Sequence, residues 1–248
     1  MNVAPGTADR LIQDRARPKW GILTNHAVVL VYVLLHPQST VRSIASAIAI
    51  TERATLAILR DLDEDHIVER RREGRRTTYS ANFERLSSVR RGGVANPLTP
   101  RLFVESVIRV LFELSSRVPD AIAKPPPRDH VPPEQLEPRV GTWGFFTNHM
   151  LILLAIAQDD SRTVRELAAA VGITERAAVG IVGQLDAERI VTRKRLGRRN
   201  VYDIDFEAFR SFRGWSFGEW QIPPQLVDAA TEGVRAVASN RSAKPPDS

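Results

Sequence analysis

Cysteine occurs nowhere in the 248 residues. Its absence excludes a disulfide framework, a thiol nucleophile and a cysteine-based zinc site. Histidine is also sparse. His26, His36, His66, His130 and His149 are scattered and never form a His-x-x-x-His or comparable ligand spacing, so no metal centre is expected. Long apolar runs are missing as well: the longest, Ala27 to Leu35, is far too short to span a hydrocarbon layer of about 30 Å. The opening MNVAPGTADR lacks both the charged and the apolar region of a secretory signal. A cytoplasmic protein with no membrane partner is the expectation. No nucleophile elbow, phosphate loop or paired-carboxylate arrangement stands out, so neither enzymatic activity nor a cofactor is expected.

Arginine, by contrast, is plentiful. Lys plus Arg number 35 against 29 Asp plus Glu, giving a net charge of +6 and a pI near 10.2. Such a balance favours an anionic partner, nucleic acid first. Arginine outnumbers lysine 31 to 4, a bias that GC-rich coding also produces. Where the arginines sit therefore says more than how many there are.

The chain repeats itself. Shifted by 123 residues, WGILTNHAVVL (20–30) aligns with WGFFTNHMLIL (143–153), ITERA (50–54) with ITERA (173–177), and GRRTTY (74–79) with GRRNVY (197–202). Without a gap, 29 of 68 positions are identical between 19–86 and 142–209. A tandem duplication is the reading, with units and closing helices at 16–116 and 142–239. Between them, 117–141 holds seven of the 16 prolines and reads as an extended linker. Residues 240–248 and roughly the first fifteen read as disordered.

Within one unit, Thr24 and Thr147 are candidate N-caps of a first, largely apolar helix. TVRSIASAI and TVRELAAAV follow, the second with a Thr163–Glu166 capping box that Ser43 removes from the first. A very short break then leads to a further helix, with Ala54, Ala57, Ile58 and Leu62 (Ala177, Gly180, Ile181 and Leu185) as its inward stripe. Gly172 suits a left-handed turn residue, and Ala49 in its place costs about 1 kcal/mol or forces another turn. Two β-prone runs around Gly74, or Gly197, make a hairpin with a basic tip. Each unit ends in a helix: one with Thr99 as N-cap, Pro100 at N1 and a stripe from Phe103 to Leu114, the other spanning Pro223 to Ala238. The expected fold class is mainly α with small β-hairpin wings, as two tandem winged-helix domains whose closing helices pack together.

TNHMLILL, GITERAAVGIV and GRRNVY, with TNHAVVLV, AITERATLAIL and GRRTTY, resemble the bacterial winged helix-turn-helix regulators of the broad MarR/ArsR type. The likeness covers about 70 residues of each unit. It implies a recognition helix, starting at the ITER segment, that enters the DNA major groove, and a wing on the backbone or minor groove. Where that pattern carries Gln-Arg, this sequence has Leu56-Ala57 and Val179-Gly180, without side chains for bidentate base contacts.

The candidate DNA-binding residues are Thr51, Arg53, Thr55 and Arg60 with Arg72, Arg75 and Arg76 in the first unit. In the second they are Thr174 and Arg176 with Arg195, Arg198 and Arg199. Arginine's planar fork matches phosphate oxygens, and helix N-termini concentrate such contacts. Thr as a cap and Arg paired to a carboxylate is the competing account. Arg60 faces Gly183 across the repeat, so the second unit is expected to read bases less than the first. Trp20 and Trp143 read as core aromatics and the TNH histidines as cap-and-core residues. Trp215, Phe217 and Trp220 have no counterpart in the first unit and read as packing between units, a small-molecule effector pocket being the alternative. The function expected is a double-stranded DNA-binding transcriptional regulator, nucleoid-associated, acting as an intramolecular pseudo-dimer, with homodimerisation left open. A protein-interaction scaffold is the rival, because Leu56, Leu59, Val179 and Val182 give the recognition helices apolar faces.

Overall fold

The computed structural model describes residues 20–74, 76–88, 99–119, 121, 143–196 and 199–242, with the backbone alone for 73, 87, 88, 102, 199 and 242. Most of the expected linker, the first nineteen residues and 243–248 lie outside that set, as do Arg75 and Arg198. The first half runs α1 (Asn25–Leu35), α2 (Val41–Ile48), α3 (Glu52–Glu64), β1 (Val68–Glu73), β2 (Arg76–Ala81), α4 (Phe83–Ser88) and α5 (Arg101–Ser116). The second runs α6 (Asn148–Gln158), α7 (Val164–Val171), α8 (Glu175–Ala187), β3 (Val191–Leu196), β4 (Arg199–Ile204) and α9 (Phe206–Arg210). A single 3-10 turn, Arg213–Trp215, then precedes two short strands, β5 (Ser216–Phe217) and β6 (Trp220–Gln221), and α10 (Pro224–Ser242). The molecule is thus mainly helical with small antiparallel hairpins. From α1 to β2 every boundary recurs 123 residues later, from α6 to β4.

Helices α1 and α6 are apolar on all sides and sit at the centre of their halves, Met150 to Ala157 being buried without a break. The α2–α3 turn is the same in both halves. Ala49 takes the left-handed conformation (φ 56°, ψ 44°) that Gly172 takes in the second (φ 76°, ψ 36°), so the turn is kept and alanine bears its strain of about 1 kcal/mol. The Thr163–Glu166 box forms in both directions, and its two bonds from Thr163 hold the Glu166 carboxyl below the usual range. In the first half Ser43 turns its hydroxyl back to the Thr40 carbonyl instead.

Several sequence expectations shift. The inward stripe of α3 is Thr55, Ile58, Leu59 and Leu62, with Ala178, Ile181, Val182 and Leu185 on α8; Ala57 and Gly180 face out. Rotating the helix this way buries Leu59 instead of Ala57, which removes more apolar area from water. Helix α5 starts one residue late, at Arg101 with Pro100 as N-cap, and Phe103 and Val104 both donate to the Pro100 carbonyl. Residues 240–242 continue α10: Arg241 pairs with Asp160 at 3.1 Å and so pins the helix end to the end of α6. Ala121, within the expected linker, is buried, and its carbonyl accepts from the Ala81 N–H at 2.9 Å.

The halves meet in a reciprocal crossing. Leu23 bridges Phe146, the Thr24 N–H donates to the Phe145 carbonyl (3.1 Å) and the Thr147 N–H to the Ile22 carbonyl (3.0 Å). Each of these contacts maps onto the other under the 123-residue shift, so the segment that opens one half is held by the other. The Thr147 hydroxyl goes to the Gly21 carbonyl at 2.7 Å and makes no cap bond, whereas Thr24 does accept from the Ala27 N–H. Trp20 stacks on His149 (4.1 Å) and Trp143 on His26 (4.7 Å). These tryptophans join the two halves instead of filling the core of one. Behind the crossing α5 packs along α10, and a Cβ on Gly233 would lie 2.6 Å from the Phe103 ring.

The stretch unique to the second half also reaches over. The turn of β5–β6 places Gly218 (φ 55°) where a Cβ would meet the Ala47 carbonyl at 2.6 Å, beside the α2–α3 turn. Trp220 meets Tyr32 of α1 edge-on at 5.3 Å. Trp215 stays within its own half, its indole N–H donating to the Phe209 carbonyl.

Candidate nucleic-acid interface

Both α3 and α8 open on a threonine cap: Thr51 accepts from the Ala54 N–H at 3.1 Å and Thr174 from the Ala177 N–H at 3.2 Å. Their hydroxyl oxygens are exposed but spent on the helix. Arg53, Arg60 and Arg176 are exposed and form no ion pair among the described residues. The carboxylate partner that would have explained Arg53 and Arg176 is therefore absent among those residues.

Thr55 is corrected. It is 0% exposed and its hydroxyl donates to the Thr51 carbonyl at 3.1 Å, so it belongs to the core stripe and cannot reach a partner. Leu59 and Val182 are buried too. Leu56 (48%) and Val179 (59%) remain as the exposed large apolar residues on these helices.

Hairpin β1–β2 is seated against α3, and β3–β4 against α8. Pairing Arg70 with Tyr79 and Arg72 with Thr77 puts both arginines on the face that buries Val68, Tyr79 and Ala81 at its base. Arg71 and Arg76 lie on the other face. The basic row is therefore split, and both halves of it are exposed near the tip. Arg72 donates to the Gly74 carbonyl at 3.3 Å, which stiffens the tip. In the second hairpin Arg193 and Arg195 share a face with Tyr202, while Lys194 lies opposite and is paired with Asp203 at 3.0 Å. Burial pushes the Tyr79 and Tyr202 phenols above their ordinary range against the pull of Arg70 and Arg193, so both stay neutral beside the cations. Arg75 and Arg198 lie outside the described residues, and Arg199 is described in its backbone only.

The crossing is wired directly to these helices. The ring of His26 bonds Asp61 on α3 at 2.9 Å, and Trp143, from the other half, donates its indole N–H to Asp65 just past the end of α3 at 2.9 Å. The ring of His149, stacked on Trp20, bonds Gln184 on α8 at 2.6 Å. Sequence reasoning read the histidines as cap-and-core residues and missed this. The available signal was that each is followed 35 residues later by a polar residue on the next-but-one helix.

A cleft of about 590 Å³ runs along the seam, walled by Trp20 and Ile48 on one side and His149, Ile181 and Phe217 on the other. No helix among the described residues is long and apolar enough to cross a membrane. No protein-family model, curated protein or solved structure matches the chain.

Proposed function

We propose that the chain is a DNA-binding transcriptional regulator made of two winged-helix units. Helices α3 and α8 serve as recognition helices in the major groove, and β1–β2 and β3–β4 as wings on the phosphates. The observation that carries this reading is the joint. The crossing segments of each half reach the recognition helix of the other through Trp143–Asp65 and Trp20–His149–Gln184, so two exposed, arginine-bearing helices are held in a two-fold-like relation by one chain. A DNA reader of two half-sites, spaced about 34 Å apart on one face of a duplex, needs that relation, and ordinary dimers supply it with two chains.

The test is a salt titration of binding to a random duplex and to duplexes from regions upstream of genes. Counterion release makes log K fall linearly with log salt, by about 0.9 per neutralised phosphate. Arg71→Ala with Arg76→Ala should weaken binding to every sequence and flatten that slope by about 2. No retained duplex at about 50 mM salt would end the proposal.

A protein-interaction scaffold is the second reading, favoured by the exposure of Leu56, Val179 and Leu196 (73%). Isolated apolar residues of this kind are common on surfaces, which is why it ranks second.

A further inference from the structure

The outward stripe of α3 is Arg53, Leu56, Ala57 and Arg60; that of α8 is Arg176, Val179, Gly180 and Gly183. The stripes begin alike and end differently, on a guanidinium in one and on no side chain in the other. Seven residues of helix rise about 10 Å, the length of three base pairs at about 3.4 Å each. Arg53 and Arg60 are therefore spaced to address two positions of one half-site. A bare stretch of α8 offers nothing comparable, because its backbone N–H groups are used within the helix and no side-chain donor projects from Gly180 or Gly183.

No packing contact among the described residues requires glycine there. A Cβ at either position would meet no atom within 4 Å. The hairpins lean the same way: Lys194 is engaged by Asp203, whereas Arg71, at the matching position of the first hairpin, makes no ion pair among the described residues. The tip of the second hairpin carries the exposed Leu196 where the first has Glu73.

We propose that sequence readout resides in the first half, with Arg60 as the base-reading group that α8 lacks, and that the second half is an anchor that grips DNA without choosing its sequence. The target is then one non-palindromic half-site flanked, about one helical turn away, by DNA of any sequence. This rests on the DNA-binding reading above. Arginine is the residue whose fork spans guanine O6 and N7, and such a pair discriminates against a wrong base by about tenfold to a hundredfold or more.

The experiment is selection from a randomised duplex library by the full chain, by Arg60→Ala and by Gly183→Arg, alongside affinity for one random duplex. Both substitution sites are exposed, and melting curves check that the two variants fold. The wild type should enrich one asymmetric motif. Arg60→Ala should lose information at part of it by about tenfold or more, a larger loss than its loss of affinity for random DNA. Gly183→Arg should add a second, inverted element. A wild-type motif with two equal halves, a motif untouched by Arg60→Ala, or a Gly183→Arg variant that gains no second element each overturns the assignment. No enrichment together with no binding to random duplex at low salt removes the DNA reading itself, and this inference with it.

Discussion

The indole N–H of Trp143 is the donor that satisfies the Asp65 carboxylate at a site where Asp65 is only 8% exposed. Trp143→Phe keeps the stack on His26 but leaves a buried carboxylate oxygen without that donor, which costs about 1–3 kcal/mol. Urea denaturation should show that loss, with a smaller one for Trp20→Phe, whose ring is half-buried and whose N–H has no such partner among the described residues. Equal effects of the two substitutions would mean that packing, not the bond, holds the joint. His149 adds a dependence on pH. Burial against Trp20 lowers its pKa, and the Gln184 bond only partly opposes this, so the folded state holds the proton less tightly than the unfolded chain. Stability is then complete above the unfolded pKa, about 6.5, and is lost progressively as pH falls from there through the folded value. Comparing denaturation of the wild type with His149→Gln from pH 8 to pH 5 isolates this contribution. The expected result is a steeper decline for wild type, and parallel curves would contradict it.

On α8, glycine at positions 180 and 183 lowers helix propensity with no compensating contact, since a Cβ at either would meet open space. Each of Gly180→Ala and Gly183→Ala should raise stability by up to about 1 kcal/mol, a gain of roughly 2–4 °C in Tm for a chain of this size; a lower Tm for either would show a packing role not visible in the folded chain. The β5–β6 turn behaves oppositely. Gly218→Ala puts a Cβ 2.6 Å from the Ala47 carbonyl at positive φ, so the turn has to lift off the α2–α3 turn of the first half, and the melting temperature should fall. The elements from α1 to β2 and their repeats were legible in the sequence, because helix caps, the left-handed turn at Gly172 and the hairpin glycines are local signals, and the repeat gave the caps and the hairpin glycines twice; the short α4, α9 and β5–β6 were not read there. Rotation about a helix axis was less so: the ITERA phrase fits a stripe through Ala54 as well as one through Thr55, and only the competition between Leu59 and Ala57 for the core decides. The crossing of Trp20 and Trp143 was hidden for another reason. An aromatic residue looks the same in sequence whether it is buried by its own domain or by the next one, and the Trp143–Asp65 contact spans 78 positions that no local pattern links.

At the scale of the whole molecule the repeat meets itself, the opening segment of each half being held by the other. The backbone bonds and the Trp–His stacks of the crossing appear twice, once in each direction, as in an isologous two-fold interface. On the DNA-binding proposal one chain of 27.7 kDa offers both recognition helices, and light scattering should find a single copy on each duplex. The layer that keeps the helices in register is α5 against α10, closest where Gly233 meets the Phe103 ring. Gly233→Leu wedges that contact open while leaving α3, α8 and both hairpins untouched in sequence. Its halves should stay folded by circular dichroism, yet the second grip on DNA is no longer prepaid by the rigid joint. Joining two binding modules multiplies affinity by about 10²–10⁴ when geometry allows both to engage. A misaligned pair should forfeit a large part of that, so the affinity of Gly233→Leu for random and selected duplex should fall at least about tenfold at fixed salt. Unchanged affinity with a visibly loosened molecule would show that the two heads bind independently through the chain that links them, and that the joint serves stability alone.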